Sequence, residues 1–278
     1  MSHQHKRSRQ AVDGLLEDIK VVLLDIEGTT TPISFVKDVL FPYIRENIED
    51  YLKEHWDEEE CQADVNELRK QAEADSEADM EGVVTIEENK NTDDAEEVKA
   101  VRDSVVKNVL WQMDADRKIT ALKQLQGHMW TTAYKSGDIK GEVYDDVVPA
   151  IKHIIADDRQ VYIYSSGSVQ AQKLLFGYST QGDLLEIFSG HFDTKIGLKV
   201  EKASYLNICE EIGCKPEEVL FLTDVTREAR PASLAGMKTC IVVRPGNEKL
   251  TEEEESEFNT IHSFSELIST DAQNKKKK

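Results

Sequence analysis

The sequence predicts an α/β fold, a Rossmann-like parallel-sheet core interrupted by an all-helical insertion. Three observations predict it. After residue 146, apolar β-type runs alternate with helical patterns, the order that builds a parallel sheet with crossover helices. Several of those runs end in a carboxylate or a hydroxyl, at the strand ends where an open α/β sheet binds its ligands. Between about Lys37 and Gly141, apolar residues recur instead at helical spacing, so this stretch stands apart from the sheet.

The first strand runs from Lys20 to Asp25 around Val21-Val22-Leu23-Leu24. In the insertion, Val39, Leu40, Tyr43, Ile44, Ile48, Tyr51 and Leu52 mark one helix face. Val98, Val101, Val105, Val109 and Met113 mark a second, and Ile119, Leu122 and Leu125 a third. His128, Met129 and Trp130 read first as packing residues of an amphipathic helix, with substrate contact as the alternative. A helix at Val147–Ala156 then feeds the strand from Val161. A helix at Ser168–Phe176, an apolar stretch at Ile187–Phe192, a helix at Ala203–Ile212 and a strand ending at Thr223 follow. Arg227–Ala235 reads as a helix and Thr239–Val243 as a strand stopped by Pro245-Gly246. This reading divides the chain into a core of residues 18–36 and 142–262, a helical insertion at 37–141, and flexible termini at 1–17 and 263–278.

Composition narrows the function classes. The chain of 278 residues carries a net charge of −20, which speaks against nucleic acid or an anionic membrane as partner. Half of that charge falls in Glu73–Glu97, where eleven acidic residues face one lysine, and the stretch reads as a solvated, flexible loop. Glu252–Glu255 reads as the start of a solvated helix. The four cysteines, Cys61, Cys209, Cys214 and Cys240, have no metal-site spacing. Cys209 and Cys214, five apart on one helix, would not share a face, so reduced packing thiols are expected. The basic start, Met1–Gln10, lacks the apolar stretch of a signal peptide. No run reaches the ~20 apolar residues of a membrane helix. A soluble, monomeric, cytoplasmic protein is expected. Lys275–Lys278 reads as a disordered tail, with nuclear targeting as the weaker reading.

The chemistry is concentrated at the strand ends. Asp25 closes the first strand and opens Ile26-Glu27-Gly28-Thr29-Thr30. A carboxylate there can accept a phosphoryl group as an acyl phosphate. Glu27, two residues on, can protonate the leaving oxygen and then activate water. Gly28 lets the backbone turn sharply, leaving N–H groups to bind phosphate oxygens. Tyr164 leads into Ser165-Ser166-Gly167-Ser168, whose hydroxyls can donate to a phosphoryl oxygen. Thr223 leads into Asp224, with Glu228 four residues later, a setting for a hard cation with oxygen ligands. Between them, Lys195 or Lys199 can neutralise charge on a phosphoryl group in transfer.

This ordered set closely resembles the haloacid dehalogenase superfamily. The family's lysine is followed six residues later by tyrosine, a spacing that Lys199 and Tyr205 meet and Lys195 does not. Two positions depart from the usual pattern, since Glu27 and Glu228 stand where aspartate is common. The dehalogenases lack an acid at position 27, which points to the phosphoryl-transfer branch. Within it, Leu24–Ile33, Leu122–Trp130, Tyr162–Ser168 and Phe221–Ala229 are similar to the enolase-phosphatase family of methionine salvage, where Glu27 is a hallmark.

The resemblance implies an inserted all-helical cap domain at 37–141 that excludes water and carries specificity. It also implies one Mg²⁺ per chain, held by Asp25, Asp224 and the backbone carbonyl of Glu27. Asp25 is then the nucleophile and Glu27 the acid/base. Ser165, Ser166 and Lys199 bind phosphate, and Glu228 tunes the metal or positions Lys199. The expected substrate is a small phosphorylated diketo compound, 2,3-diketo-5-methylthiopentyl 1-phosphate, enolised and then dephosphorylated to an acireductone. Another Mg²⁺-dependent small-molecule phosphatase or a phosphomutase of the superfamily, and a non-enzymatic acidic binding protein, stay open as alternatives. The residues identify no base for enolisation.

Overall fold

A computed structural model of the chain describes residues 14–88 and 94–268. The chain divides into two compact units, residues through Lys37 together with those from Lys140 onward, and Asp38–Ile139.

In the first unit the described residues form one sheet from β1 (Val21–Leu24), β2 (Gln160–Tyr164), β3 (Gly190–Phe192), β4 (Val219–Thr223), β5 (Lys238–Val242) and β6 (Asn259–Ile261). All neighbours pair in parallel, in the order β3-β2-β1-β4-β5-β6. The chain winds outward on one side of β1, then returns to build the other, which is the doubly wound order. β1 and β4 are buried along their whole length. Strands covered on both faces read as unbroken apolar runs, which is why these two were plain in the sequence. Leu24 pairs with Ile163 of β2 and with Leu222 of β4. The residues that follow these three strands therefore share one edge of the sheet. β6, with only Asn-Thr-Ile, has no period long enough to announce it.

The second unit consists of α1 (Phe41–His55), α2 (Glu59–Glu77), α3 (Ala95–Asp114) and α4 (Thr120–Ser136). Its interior is lined at helical spacing by Ile44, Ile48 and Leu52, by Val65, Leu68 and Ala72, by Val101, Val105 and Val109, and by Leu122, Leu125 and Met129. The Trp130 indole N–H donates to the Leu40 carbonyl at 3.0 Å, and His128 Nδ1 lies 2.6 Å from the fully buried Asp64 carboxylate. His128, Met129 and Trp130 are thus tied into the helical interior. Burial raises the Asp64 pKa, against the opposing pull of His128.

The acidic segment departs from its expected form. Glu73–Glu77 complete α2, and Asp94 caps α3 by accepting from the Glu96 and Glu97 amides. Asp75 is buried against Arg117, whose Nη2 lies 2.8 Å from Asp75 Oδ1. Between the helices, Ile86 is buried, Glu87 N donates to Ser104 Oγ at 3.0 Å and Asn108 Nδ2 donates to the Val84 carbonyl at 2.6 Å. Side chains of α3 satisfy the loop's backbone, and that holds it in place despite its charge. Residues 89–93 of the segment lie outside the described residues.

The sheet unit carries α5 (Val147–Ala156), α6 (Val169–Gly177), α7 (Lys202–Ile212), α8 (Thr226–Ala235) and α9 (Glu252–Glu257). Ser168 caps α6 by accepting from Ala171 N, and Thr251 with Glu254 forms a capping box on α9, whose first turn holds Glu252–Glu255. Cys214 corrects the sequence reading. α7 ends at Ile212, Gly213 turns the chain at a φ of 76°, and Cys214 packs beside Cys209 in the same apolar cluster. All four cysteines are free thiols.

The described ends of the chain also depart from the expected flexible form. Leu15 and Leu16 are buried, Arg159 donates to the carbonyls of Ile19 and Leu16, and Phe264 and Leu267 are fully buried. Residues 14–17 and 263–268 are packed because their few apolar side chains complete the core. Residues 1–13, including most of the expected flexible start, and 269–278, with the lysine tail, lie outside the described residues. Among the described residues no helix is long and apolar enough to cross a membrane.

Candidate active site

β1 runs straight into Asp25, so a buried strand delivers a carboxylate to the edge of the sheet, 4% exposed. Its Oδ1 accepts from Ile26 N at 2.7 Å, and its Oδ2 accepts from Thr223 Oγ1 at 2.8 Å and from Lys199 Nζ at 2.6 Å. These three donors orient both oxygens of the carboxylate.

The turn after Asp25 is tighter than expected. The amides of Thr29, Thr30 and Thr31 all point to the Ile26 carbonyl, and Gly28 N donates to Thr31 O at 2.8 Å. These N–H groups are consumed inside the turn, so the sequence reading that they are free for phosphate is corrected. Gly28 sits at a φ of 71°, and a Cβ there would overlap Asp224 Oδ2 and lie 2.9 Å from Asn247 Oδ1. Backbone angle and space both require glycine.

Lys199, 8% exposed, lies between Asp25 and Glu228, its Nζ 2.5 Å from Glu228 Oε2. Burial disfavours the ammonium, but the two carboxylates outweigh it and hold the Lys199 pKa above the ordinary lysine value. Glu228 is raised by burial and by Asp25, with Lys199 opposing. Asp224 is pushed up to about 7, first by burial and then by the Asp25 charge. Three carboxylates with one ammonium leave the site short of positive charge. Lys195, in contrast, is exposed and borders an open groove of about 410 Å³ along β3 with Ser168, His191 and Asp193.

Ser165 follows β2 and is buried, its Oγ accepting from Gly167 N at 3.3 Å. Ser166 and Glu27 are exposed beside it and beside Asp25 along the chain. Asp25, Asp224, Lys199 and Glu228 are thus brought together in one electrostatic cluster. Further residues join them, two of which, Asn247 and Arg244, the sequence reading did not name. Thr223 bonds Asp25, and a hydroxyl directly before a strand-end acid was the available signal. Tyr205 Oη bonds the Lys199 carbonyl at 2.6 Å. Asn247 Nδ2 donates to the Gly28 carbonyl at 2.9 Å, and Arg244 Nε to the Thr29 carbonyl at 3.3 Å. Their signal was a turn, Arg244-Pro245-Gly246-Asn247, at the end of a strand on the same edge.

The residues fit a divalent cation. Asp25 and Asp224 repel one another, and Asn247 Oδ1 is a buried acceptor that meets no donor among the described residues. The donors are all oxygen, and no group of three or more His, Cys, Asp or Glu side chains suited to a metal is assembled among the described residues. Two carboxylates with backbone oxygen and water suit Mg²⁺, which keeps several waters, better than a soft metal.

The haloacid dehalogenase-like hydrolase family pattern matches residues 19–236. The chain is 62% identical over 261 residues to enolase-phosphatase E1 of Branchiostoma floridae, covering 92% of this chain and 86% of that protein. It is 62% identical over 252 residues to enolase-phosphatase E1 of Danio rerio, covering 90% and 95%. The crystal structure of the UTR4 protein of Saccharomyces cerevisiae superimposes with a TM-score of 0.69 at 33% identity, covering 88% of this chain and 98% of that one.

Proposed function

Because the chain belongs to the haloacid dehalogenase-like hydrolases and, within them, to the enolase-phosphatases, we propose that Asp25 is the nucleophile of a Mg²⁺-dependent site that enolises and then dephosphorylates 2,3-diketo-5-methylthiopentyl 1-phosphate. The observation that carries this reading is Lys199, buried between Asp25 and Glu228 with Asp224 beside them at one sheet edge. A structural ion pair needs one acid. Three around one lysine leave a net negative charge that calls for a cation.

Asp25 and Asp224 would hold the cation, with the backbone oxygen of Glu27 as the family implies; bound there, Mg²⁺ would neutralise phosphate charge and polarise substrate oxygens. An Asp25 oxygen attacks phosphorus, and the bond from phosphorus to the substrate oxygen breaks. Glu27 gives its proton to that leaving oxygen. It then takes a proton from a water that attacks the aspartyl phosphate, releasing phosphate and restoring Asp25. Lys199 and Ser165 steady the phosphoryl oxygens, with Ser166 as the neighbouring hydroxyl. Glu228 keeps the lysine in place while Asp25 carries the phosphoryl group. The sheet unit is the catalytic core, and the helical unit is the cap.

Incubation with the methylthio diketo phosphate, following enol absorbance and free phosphate together, tests the reading. The enol rises first, phosphate follows, and both require Mg²⁺. Phosphate release without an enol or acireductone would leave a phosphatase of another specificity.

A further inference from the structure

Pro245 stops β5, and Gly246, at a φ of 90°, turns the chain back across the sheet edge. This return brings Asn247 to Gly28, 219 residues away in sequence. Its amide nitrogen donates to two carbonyl oxygens, Gly28 at 2.9 Å and Val242 at 3.1 Å. Carbonyls cannot donate, so these two bonds fix which end of the amide is nitrogen. The oxygen is therefore aimed the other way, into the space above the Gly28 α-carbon. Asp224 Oδ2 borders that same space.

Asn247 Oδ1 is buried and finds no donor among the described residues. An amide oxygen left so keeps its desolvation cost with nothing to offset it. It could have been avoided by any apolar side chain of similar size, were the two donor bonds not needed. Here the orphan faces a carboxylate that is itself proposed to hold a cation. Two acceptors sharing a small space are compatible only if donors or positive charge come between them.

We propose that Asn247 is a positioning residue of the cation site, whose side-chain oxygen accepts a hydrogen bond from a water in the shell of the divalent cation held by Asp224 while its nitrogen anchors the Gly28 turn. The inference rests on the divalent-cation reading of Asp25 and Asp224. Mg²⁺ retains most of its waters in protein sites, and each such water needs acceptors. Arg244 braces the same turn from the Thr29 carbonyl, so the loop holds the turn by two carbonyls and reaches the cation shell by one oxygen.

The test is Mg²⁺ binding to metal-stripped protein without substrate, by isothermal titration calorimetry, with thermal unfolding alongside. Asn247→Leu keeps the size and removes the acceptor; its Mg²⁺ affinity is expected to fall about 10–100-fold. Asn247→Asp keeps an oxygen and loses both donors. It is expected to melt lower without metal yet bind Mg²⁺ at least as tightly as the wild type. A merely structural amide would give the opposite pattern, with both variants losing affinity alike. In the wild type, the Asn247 side-chain amide resonance, assigned by its absence in Asn247→Asp, should shift on Mg²⁺ titration with the calorimetric midpoint; this arm holds even if Asn247→Leu does not fold. Wild-type affinity in Asn247→Leu, equal losses in both variants, or an unmoved resonance overturns the inference alone. A wild type that binds no Mg²⁺ overturns the cation reading and this inference with it.

Discussion

The hydroxyl of Tyr205 donates to the carbonyl oxygen of Lys199 at 2.6 Å. The same hydroxyl lies 2.9 Å from the Glu228 carbonyl, so its one proton is shared between the backbones of the lysine and of the acid that grips it. Tyr205 is fully buried. The six-residue spacing from lysine to tyrosine therefore has a mechanical cause: the first turn of α7 carries a ring that pins the loop holding the ammonium. Tyr205→Phe should cost about 1–3 kcal/mol of stability, because buried carbonyls lose their donor. Loosening Lys199 should lower turnover by up to about 10²-fold. Urea unfolding and phosphate release measure the two effects, and unchanged turnover would detach Tyr205 from catalysis. Lys199→Ala should go further, slowing phosphate release about 10²–10³-fold.

Asp25→Asn should abolish phosphate release while the protein stays folded. The change is nearly isosteric, and an amide cannot displace the leaving group at phosphorus. A folded variant retaining more than a few per cent of turnover would exclude the aspartyl-phosphate route; circular dichroism and a phosphate assay decide it.

Chelation with EDTA should stop turnover and added Mg²⁺ restore it. Ca²⁺ should inhibit, since it takes longer bonds and more ligands than the two carboxylates arrange. Full activity in excess chelator would remove the metal from the reaction.

Arg244 Nη1 and Nη2 grip Asp146 at 2.8 and 3.0 Å, and Ser263 Oγ and Phe264 N donate to the same carboxylate. Burial opposes the charge on Asp146, but these donors win and hold its pKa below the ordinary aspartate value. A depressed carboxylate contributes stability above its unfolded pKa and loses it as pH falls through the folded one. Asp146→Asn should thus destabilise the protein at neutral pH, on the order of 3 kcal/mol, because Arg244 is left buried and unpaired. The gap from wild type should begin to narrow as pH falls below about 4, the unfolded aspartate value, and close as the folded pair is protonated. A gap that holds constant from pH 7 to 3 would refute the ion pair's part.

Ile86 anchors the segment that the charge pattern reads as solvated. Ile86→Ala should cost about 2–4 kcal/mol, the range of a buried aliphatic truncation, and lower the melting temperature. Replacing residues 79–88 by glycine and serine should destabilise at least as much, since the bonds to Ser104 and Asn108 are lost too. A replacement that melts like the wild type would return the segment to a solvated loop.

What could be read from the sequence was local. Val21–Leu24 and Val219–Thr223 were legible as core strands because burial on both faces leaves an unbroken apolar run. Asp25 and Asp224 stood out as charges at the mouths of those runs. Helices such as Val147–Ala156 were legible because a 3.6-residue period repeats within ten positions. Chain order alone set the acids and the lysine in the succession that the proposed phosphoryl-transfer site uses.

Only the tertiary structure decided who meets whom. That Lys199 bridges Asp25 and Glu228, that Asn247 holds Gly28, and that Arg244 closes on Asp146 depends on sheet register and on which carbonyl a donor reaches across long loops. β6 and the buried Phe264 and Leu267 escaped notice because three-residue strands and isolated apolar positions carry no period. The acidic segment misled for a related reason. Its composition reports the cost of concentrating charge, whereas its order comes from one buried isoleucine and from backbone groups whose partners lie on a helix the sequence does not mark as adjacent.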